Sequence, residues 1–262
     1  MKRHRDAQGF AKRSIDREWK GESPPTVIGY VRAMCDSFIE LRGDRQCSDD
    51  LGIVGGYAKI CGHSVVVVAH DPSRVHDWGY PDGSVCPNLN GYRKAARLMR
   101  LAEKFRHPLL IVVMAPTSLS GIGAEEPSEA VALVQHLYVM GQLVVPTVLI
   151  VLGHWGYGDV FGVWGGDRIL TSEHGCFAMR YLDRQLRLSH VFVKAQDLEA
   201  RRIVDCVLPD PIHGADALEV MGAWLRERIG LSLGELVPLT FHQLMLARAE
   251  RADRVAALIG GL

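Results

Sequence analysis

A chain of 262 residues with 30 Lys and Arg against 30 Asp and Glu has no net charge with which to recruit nucleic acid or an anionic membrane as an obligate partner, leaving a small molecule or another protein. Its longest apolar runs, VVVVA and LLIVVM, fall far short of the roughly 20 residues that cross a bilayer, and its length suits one large core. Six cysteines, Cys35, Cys47, Cys61, Cys86, Cys176 and Cys206, contain no CxxC pair, which argues against a disulfide scaffold or a zinc ribbon and predicts small buried hydrophobes for most of them.

The first twenty residues hold seven Lys or Arg against three Asp or Glu and no hydrophobic stretch, so no secretory signal is read there and a cytoplasmic location is expected. Residues 1–25 end in ESPP and are expected to form a flexible arm, with a single domain over residues 26–262. In TVIGYVRAMCDSFIEL, Ile28, Val31, Phe38 and Leu41 recur at helical intervals and Gly43 follows as a stop, predicting a helix over 26–41. Ala58–Ile60 and Val65–Ala69 flank Gly62 and read as a hairpin. Strand SVVVVAHD then leads to helix NGYRKAARLMRLAEKF, strand PLLIVVMAP to helix SEAVALVQHLYVMGQL, and strand VPTVLIVLG to a glycine-rich loop, a period of about 35 to 45 residues. Nearly continuous apolar strands alternating with amphipathic helices imply parallel strands covered on both faces, an α/β layered fold. The tail from Asp216 reads as two or three helices interrupted near Gly230 and Pro238.

In such folds ligands sit beyond the carboxyl ends of the strands, where two loops have suitable composition. TSLSGIGAEE offers Gly121, Ile122 and Gly123, and GHWGYGDVFG offers Gly153, Gly156 and Gly158, with Gly162 read as a helix-packing residue. Neither matches GxGxxG with its acidic partner or GxxxxGK[ST]. Bare N–H groups at such a turn suit an oxyanion instead, as in an enolate or a tetrahedral intermediate; losing one donor costs about 3 kcal/mol.

FIELRGDRQCSDDLGIVGGYAKICGHSVVVVAH, GYRKAARLMRLAEKF, SGIGAEE, VLGHWGYGDVFGVWGGDRIL and LEARRIVDCVLPDPIHGAD resemble successive blocks of the acetyl-CoA carboxylase carboxyltransferase subunit alpha family, in the crotonase-like superfamily. The resemblance runs from about residue 26 to the C-terminus. It implies a crotonase-type ββα superhelix with C-terminal helices and an alpha-type transferase subunit with no covalently bound cofactor. The implied substrates are carboxybiotin on a carrier protein and a CoA or carrier-protein thioester, and the implied partner is a zinc-ribbon-bearing beta-type subunit in a hetero-oligomer.

The chain departs from the family pattern at the chemistry. Where the family reads TPGAYPGIGAEERGQ, this sequence reads APTSLSGIGAEEPSE, with Thr117 in place of the first loop glycine; where it reads GEGGSGGALAIGVGDR, this sequence places His154, Trp155, Tyr157 and Asp159 at a glutamate, a glycine, a serine and a glycine. The bulky groups fill space near the turn and add proton carriers. The expected catalytic set is therefore His154, Gly156, Gly158 and Asp159, with Gly121, Ile122, Gly123 and Tyr157 binding substrate. Two other readings stay open: a biotin-independent acyl-thioester decarboxylase, hydrolase or acyltransferase with His154 or Asp159 in proton transfer, and a non-catalytic scaffold with a plugged pocket.

Other polar residues read as structural. His63, His70 and His76 with Asp71 and Asp77 match no metal-ligand spacing. Asp44, Arg45, Asp49 and Asp50 read as an ion-paired turn, and Asp167 and Arg168 as residues leading a strand at the sheet edge. Arg93, Lys94 and Arg97 share a helix face, read as solvated, with a CoA phosphate as the functional alternative.

Overall fold

The computed structural model describes residues 26–71, 87, 89–114, 127–152, 155–156, 165–173, 175–182, 188–209 and 216–260; the expected arm over 1–25 lies outside them. Helix α1 (Val27–Met34) starts after Thr26, whose side chain accepts the Gly29 N–H at 3.2 Å and so satisfies a donor of the first turn. Val27, Tyr30, Val31 and Met34 are its buried residues. The helix does not continue to Leu41. Cys35 turns to extended backbone and Ser37–Glu40 forms β1. Antiparallel pairing of Ser37 with Lys59 through Glu40 with Gly56 supplies backbone bonds that a helix end would leave unmade, and every second residue still packs inward. Phe38 and Leu41, three residues apart, pack against opposite buried clusters, as extended backbone places them and a helix would not.

Strands β2 (Ile53–Ile60) and β3 (His63–His70) form the expected hairpin, longer than its apolar core, with pairing from Ile53 with His70 to Ile60 with His63. Cys61 and Gly62 both have positive φ, 48° and 81°, the two-residue turn that matches strand twist. Helix α2 (Leu89–Phe105) leads to β4 (Leu109–Val113), and α3 (Pro127–Gly141) to β5 (Thr147–Val151). β3, β4, β5, β7 (Arg168–Ser172) and β10 (Cys206–Leu208) are parallel neighbours in a sheet ordered β1-β2-β3-β4-β5-β7-β10.

Alternate strand residues serve opposite faces. Val66, Val68, Ile111 and Leu149 join one buried cluster with residues of α2 and α3. Val65, Val67, Leu110 and Ile150 join the other, with residues of α1 and of α5 (Ala217–Leu236). The parallel α/β layering expected from the sequence is present. A second sheet, unanticipated, contains β6 (Trp155–Gly156), β8 (Cys176–Leu182) and β9 (Leu188–Lys194), and a short α4 (Ala195–Ala200) follows.

The tail forms two helices, α5 and α6 (Phe241–Gly260), with the break at Pro238 and a 119° bend. Gly230 does not interrupt α5; a Cβ there would stand 2.9 Å from Cys61 Sγ, so the glycine admits the hairpin turn. No single described helix is long and apolar enough to cross a membrane. α6 is fastened at the amino ends of β5 and β7: buried Arg248 donates to both Asp167 carboxylate oxygens at 2.7 Å and to the carbonyls of Leu143 and Val145. Arg251 donates to the Gly166 carbonyl and to Asp205. Asp167 therefore does more than lead an edge strand; β7 is an interior strand and its aspartate anchors a helix.

Candidate active site

The ladder register sets His70, Val113, Val151 and Thr171 in one row across β3, β4, β5 and β7, at the carboxyl ends of the parallel strands. The segments leaving this row include both glycine-bearing loops. Of the expected site residues, Gly121, Ile122, Gly123, His154, Tyr157, Gly158 and Asp159 lie outside the described residues. Gly156 is described. The chain leaves β5 after Val151, the Leu152 N–H still donates to the Val113 carbonyl at 2.8 Å, and by Trp155 the backbone has crossed into the second sheet. There Trp155 and Gly156 pair in parallel with Phe177 and Ala178. β6 is an edge strand: β8 flanks one side, and no described strand flanks the other. An edge leaves backbone donors and acceptors without strand partners, and at Gly156 no side chain screens them.

Polar groups stand in and beside this row: His70 and Asp71, which the sequence reading weighed only as metal ligands of unsuitable spacing, and Thr171, which it did not single out. His70 is buried, and that burial, opposed by neighbouring Asp71, pushes its imidazole down to about 4. Asp71 is fully buried and its N–H donates to the Gly52 carbonyl at 2.7 Å. Thr171 is fully buried with no hydrogen-bond partner for its hydroxyl among the described residues. The available signal was an apolar strand that ends in His-Asp. Among the described residues no group of three or more His, Cys, Asp or Glu is placed to hold a metal; His76 and Asp77 lie outside them.

The aspartate turn is structural, as expected. Asp44 Oδ1 accepts the N–H groups of Gln46, Cys47 and Ser48 at 2.8, 2.9 and 3.1 Å. Although burial opposes it, these donors and the Arg93 charge hold the Asp44 carboxyl below its ordinary value. Asp50 accepts the Gly52 N–H at 2.7 Å. Asp49 accepts from Gly43 N and, at 2.6 Å, from Lys94 Nζ. Lys94 is 1% exposed, so the solvated-face reading fails for it: a carboxylate from a distant turn neutralises the ammonium and permits burial. Arg97 donates to the Leu41 carbonyl at 3.1 Å.

The cysteines also depart from expectation. Of the four described free ones, Cys47 and Cys61 are exposed and Cys35 and Cys206 half-buried, because they lie in turns and at strand margins. Burial, then Asp36, pushes the Cys35 thiol up to about 12, which removes it as a nucleophile at neutral pH.

A family model described as acetyl co-enzyme A carboxylase carboxyltransferase-like matches residues 14–181. The acetyl-coenzyme A carboxylase carboxyl transferase subunit alpha of Geobacter sulfurreducens is 34% identical over 250 residues, covering 90% of this chain and 78% of that one. The subunit alpha of Bordetella avium is 36% identical over 240 residues, covering 87% and 75%. Among solved structures, the transcarboxylase 12S hexamer chain superposes with a TM-score of 0.58 at 18% identity, over 82% of this chain and 41% of that one. The Pseudomonas malonate decarboxylase MdcD-MdcE hetero-dimer gives a TM-score of 0.58 at 17% identity, over 87% and 92%. These likenesses show the fold, the crotonase-type α/β arrangement that the sequence blocks imply.

Proposed function

The chain belongs to the acetyl-CoA carboxylase carboxyltransferase subunit alpha family, and from that premise we propose that it is the alpha-type half of a carboxyltransferase that moves a carboxyl group between carboxybiotin on a carrier protein and an acyl thioester. The observation that supports this reading best is Gly156 on the edge strand β6, immediately beyond the carboxyl end of β5. A glycine backbone there offers N–H groups to an acyl or carboxyl oxygen, and Gly158 extends the same offer two residues later. Gly121, Ile122 and Gly123 follow β4, the strand beside β5, and serve the acyl side. His154 and Asp159 are the proton carriers of the proposal, and Tyr157 is its further substrate-binding residue. Carboxybiotin supplies the activated carboxyl group; the chain's part is to position an oxygen and move a proton.

The partner is a beta-type subunit with a zinc ribbon, and the complete site lies between the two chains. Exposed Val131, Val134 and Tyr138 on α3 support association, since a contiguous apolar helix face is uncommon on a free monomer. Purified chain, purified beta-type subunit and their mixture are to be compared by light scattering and by carboxylation of acetyl-CoA. Activity and a larger particle are expected only in the mixture. Full activity from a strictly monomeric preparation of this chain would overturn the half-site reading.

A second reading is favoured by the loop composition: Trp155, Tyr157 and Asp159 replace a glycine, a serine and a glycine of the family pattern, and His154 replaces a glutamate. On it the enzyme decarboxylates an acyl thioester without biotin, with His154 returning the proton to carbon.

A further inference from the structure

Helix α2 carries Arg93, Arg97, Arg100 and Lys104 at positions i, i+4, i+7 and i+11, which sets four cations along one face. Arg45, in the turn after Gly43, joins them. All five line a single cleft of about 330 Å³, a size suited to a small molecule. None of the five forms an ion pair with another described residue. Burial and the Arg45 charge both hold the Arg97 guanidinium below its ordinary value, with Asp49 and Asp44 opposing.

The nearby acids are already engaged. Asp44 is the one carboxylate among the residues that line the cleft, and its Oδ1 accepts three backbone N–H groups. Asp49 neutralises Lys94, and Glu103 accepts the Val144 N–H at 3.3 Å. Like charges one turn apart destabilise a helix, so the stripe is unfavourable by itself and an anion relieves it. Guanidinium groups match phosphate oxygens in two-pronged fashion, and a concave site of one sign concentrates small anions. Tyr92, Ala96 and Leu101 add an apolar strip to the same wall, suited to the flat face of a base.

We propose that the cleft between the Asp44–Gln46 turn, α2 and α3 binds a nucleotide-like small molecule bearing two or more phosphate charges. That chemistry is shared by the phosphoadenosine end of an acyl-CoA and by a free nucleoside di- or triphosphate. With acyl-CoA as the source the proposal rests on the carboxyltransferase reading; its test reads phosphate binding and not carboxyl transfer, so the two fail separately.

Titration calorimetry on the full chain with adenosine 3′,5′-bisphosphate, ATP, inorganic pyrophosphate and adenosine tests it, at low and high salt. Pyrophosphate and both nucleotides are expected to bind, adenosine far more weakly, with affinity falling as salt rises. The exposed Arg100→Gln should weaken nucleotide binding at least about tenfold, and Arg93→Gln with Arg100→Gln about a hundredfold, as expected for lost charge-assisted bonds, with unchanged circular dichroism. Tighter binding of adenosine 3′,5′-bisphosphate than of ATP identifies the CoA end as the source; the reverse order identifies a free nucleotide. Absence of binding by all phosphates, equal binding of adenosine, or undiminished binding by the double variant would overturn the proposal.

Discussion

His70 and Asp167 occupy opposite ends of the sheet, and each fixes a measurable property of the folded chain. His70 ends β3 buried, and that burial pushes its pKa from 6.5 to about 4 against the pull of Asp71. Between those values the unfolded chain takes up a proton that the folded one refuses. Stability is therefore complete above pH 6.5 and is lost as pH falls toward 4, by about 3 kcal/mol from this group. Urea unfolding at pH 7 and near pH 4.5 should show that loss in the wild type and a flatter profile in His70→Gln; equal slopes would remove the assignment. Asp167 is different because its charge is paired inside the protein, bidentate with Arg248. Arg248→Ala strands a buried carboxylate and should destabilise by about 3 to 5 kcal/mol, read as a lower denaturation midpoint. For the proposed chemistry, His154→Gln should leave the thermal midpoint and partner binding intact while cutting turnover at least about a hundredfold. Unchanged turnover would take His154 off the list and make Asp159 the next residue to test.

At the scale of elements, close contacts decide more than helix or strand preference. Gly56 faces Glu40 across the β1–β2 ladder, and a Cβ there would overlap the Ile39 carbonyl oxygen. Gly56→Ala should detach β1, seen as fast amide exchange over Ser37–Glu40; protection equal to the wild type would contradict the clash. The central strands were legible in the sequence because VVVV, LLIVV and TVLIV are continuous apolar runs of strand length, and the hairpin because Gly62 separates Ala58–Ile60 from Val65–Ala69. β1 was not, since the three-residue step from Phe38 to Leu41 continues the helical spacing of Ile28 and Val31, while the ladder that makes the strand is supplied by β2, another element. Gly230 read as a helix break because its reason, the Cys61 turn, lies 169 residues away in the chain. Lys94 was misjudged for the same cause: the Asp49 that neutralises it comes from another element. Gly156 was read as a candidate site position from its loop composition, and its place in an edge strand of a second sheet depends on β8, which no local pattern announced.

For the whole molecule, the sheet separates two duties. Its amino ends hold α6 through Arg248 and Arg251, and the glycine-bearing loops follow its carboxyl ends, so the anchoring contacts and the proposed chemistry fall on opposite sides. Substitutions at the α6 anchors should accordingly lower stability while the turnover of the surviving folded complex stays near wild type, a separation measurable by normalising activity to folded fraction. The central claim is that the complete site works as a carboxyltransferase. Its most direct measurement supplies malonyl-CoA to the reconstituted complex of this chain and a beta-type partner, with and without free biotin, and follows loss of the carboxyl group from the thioester. The account predicts loss that depends on biotin and on both chains; equally fast decarboxylation without biotin, or by this chain alone, would contradict it.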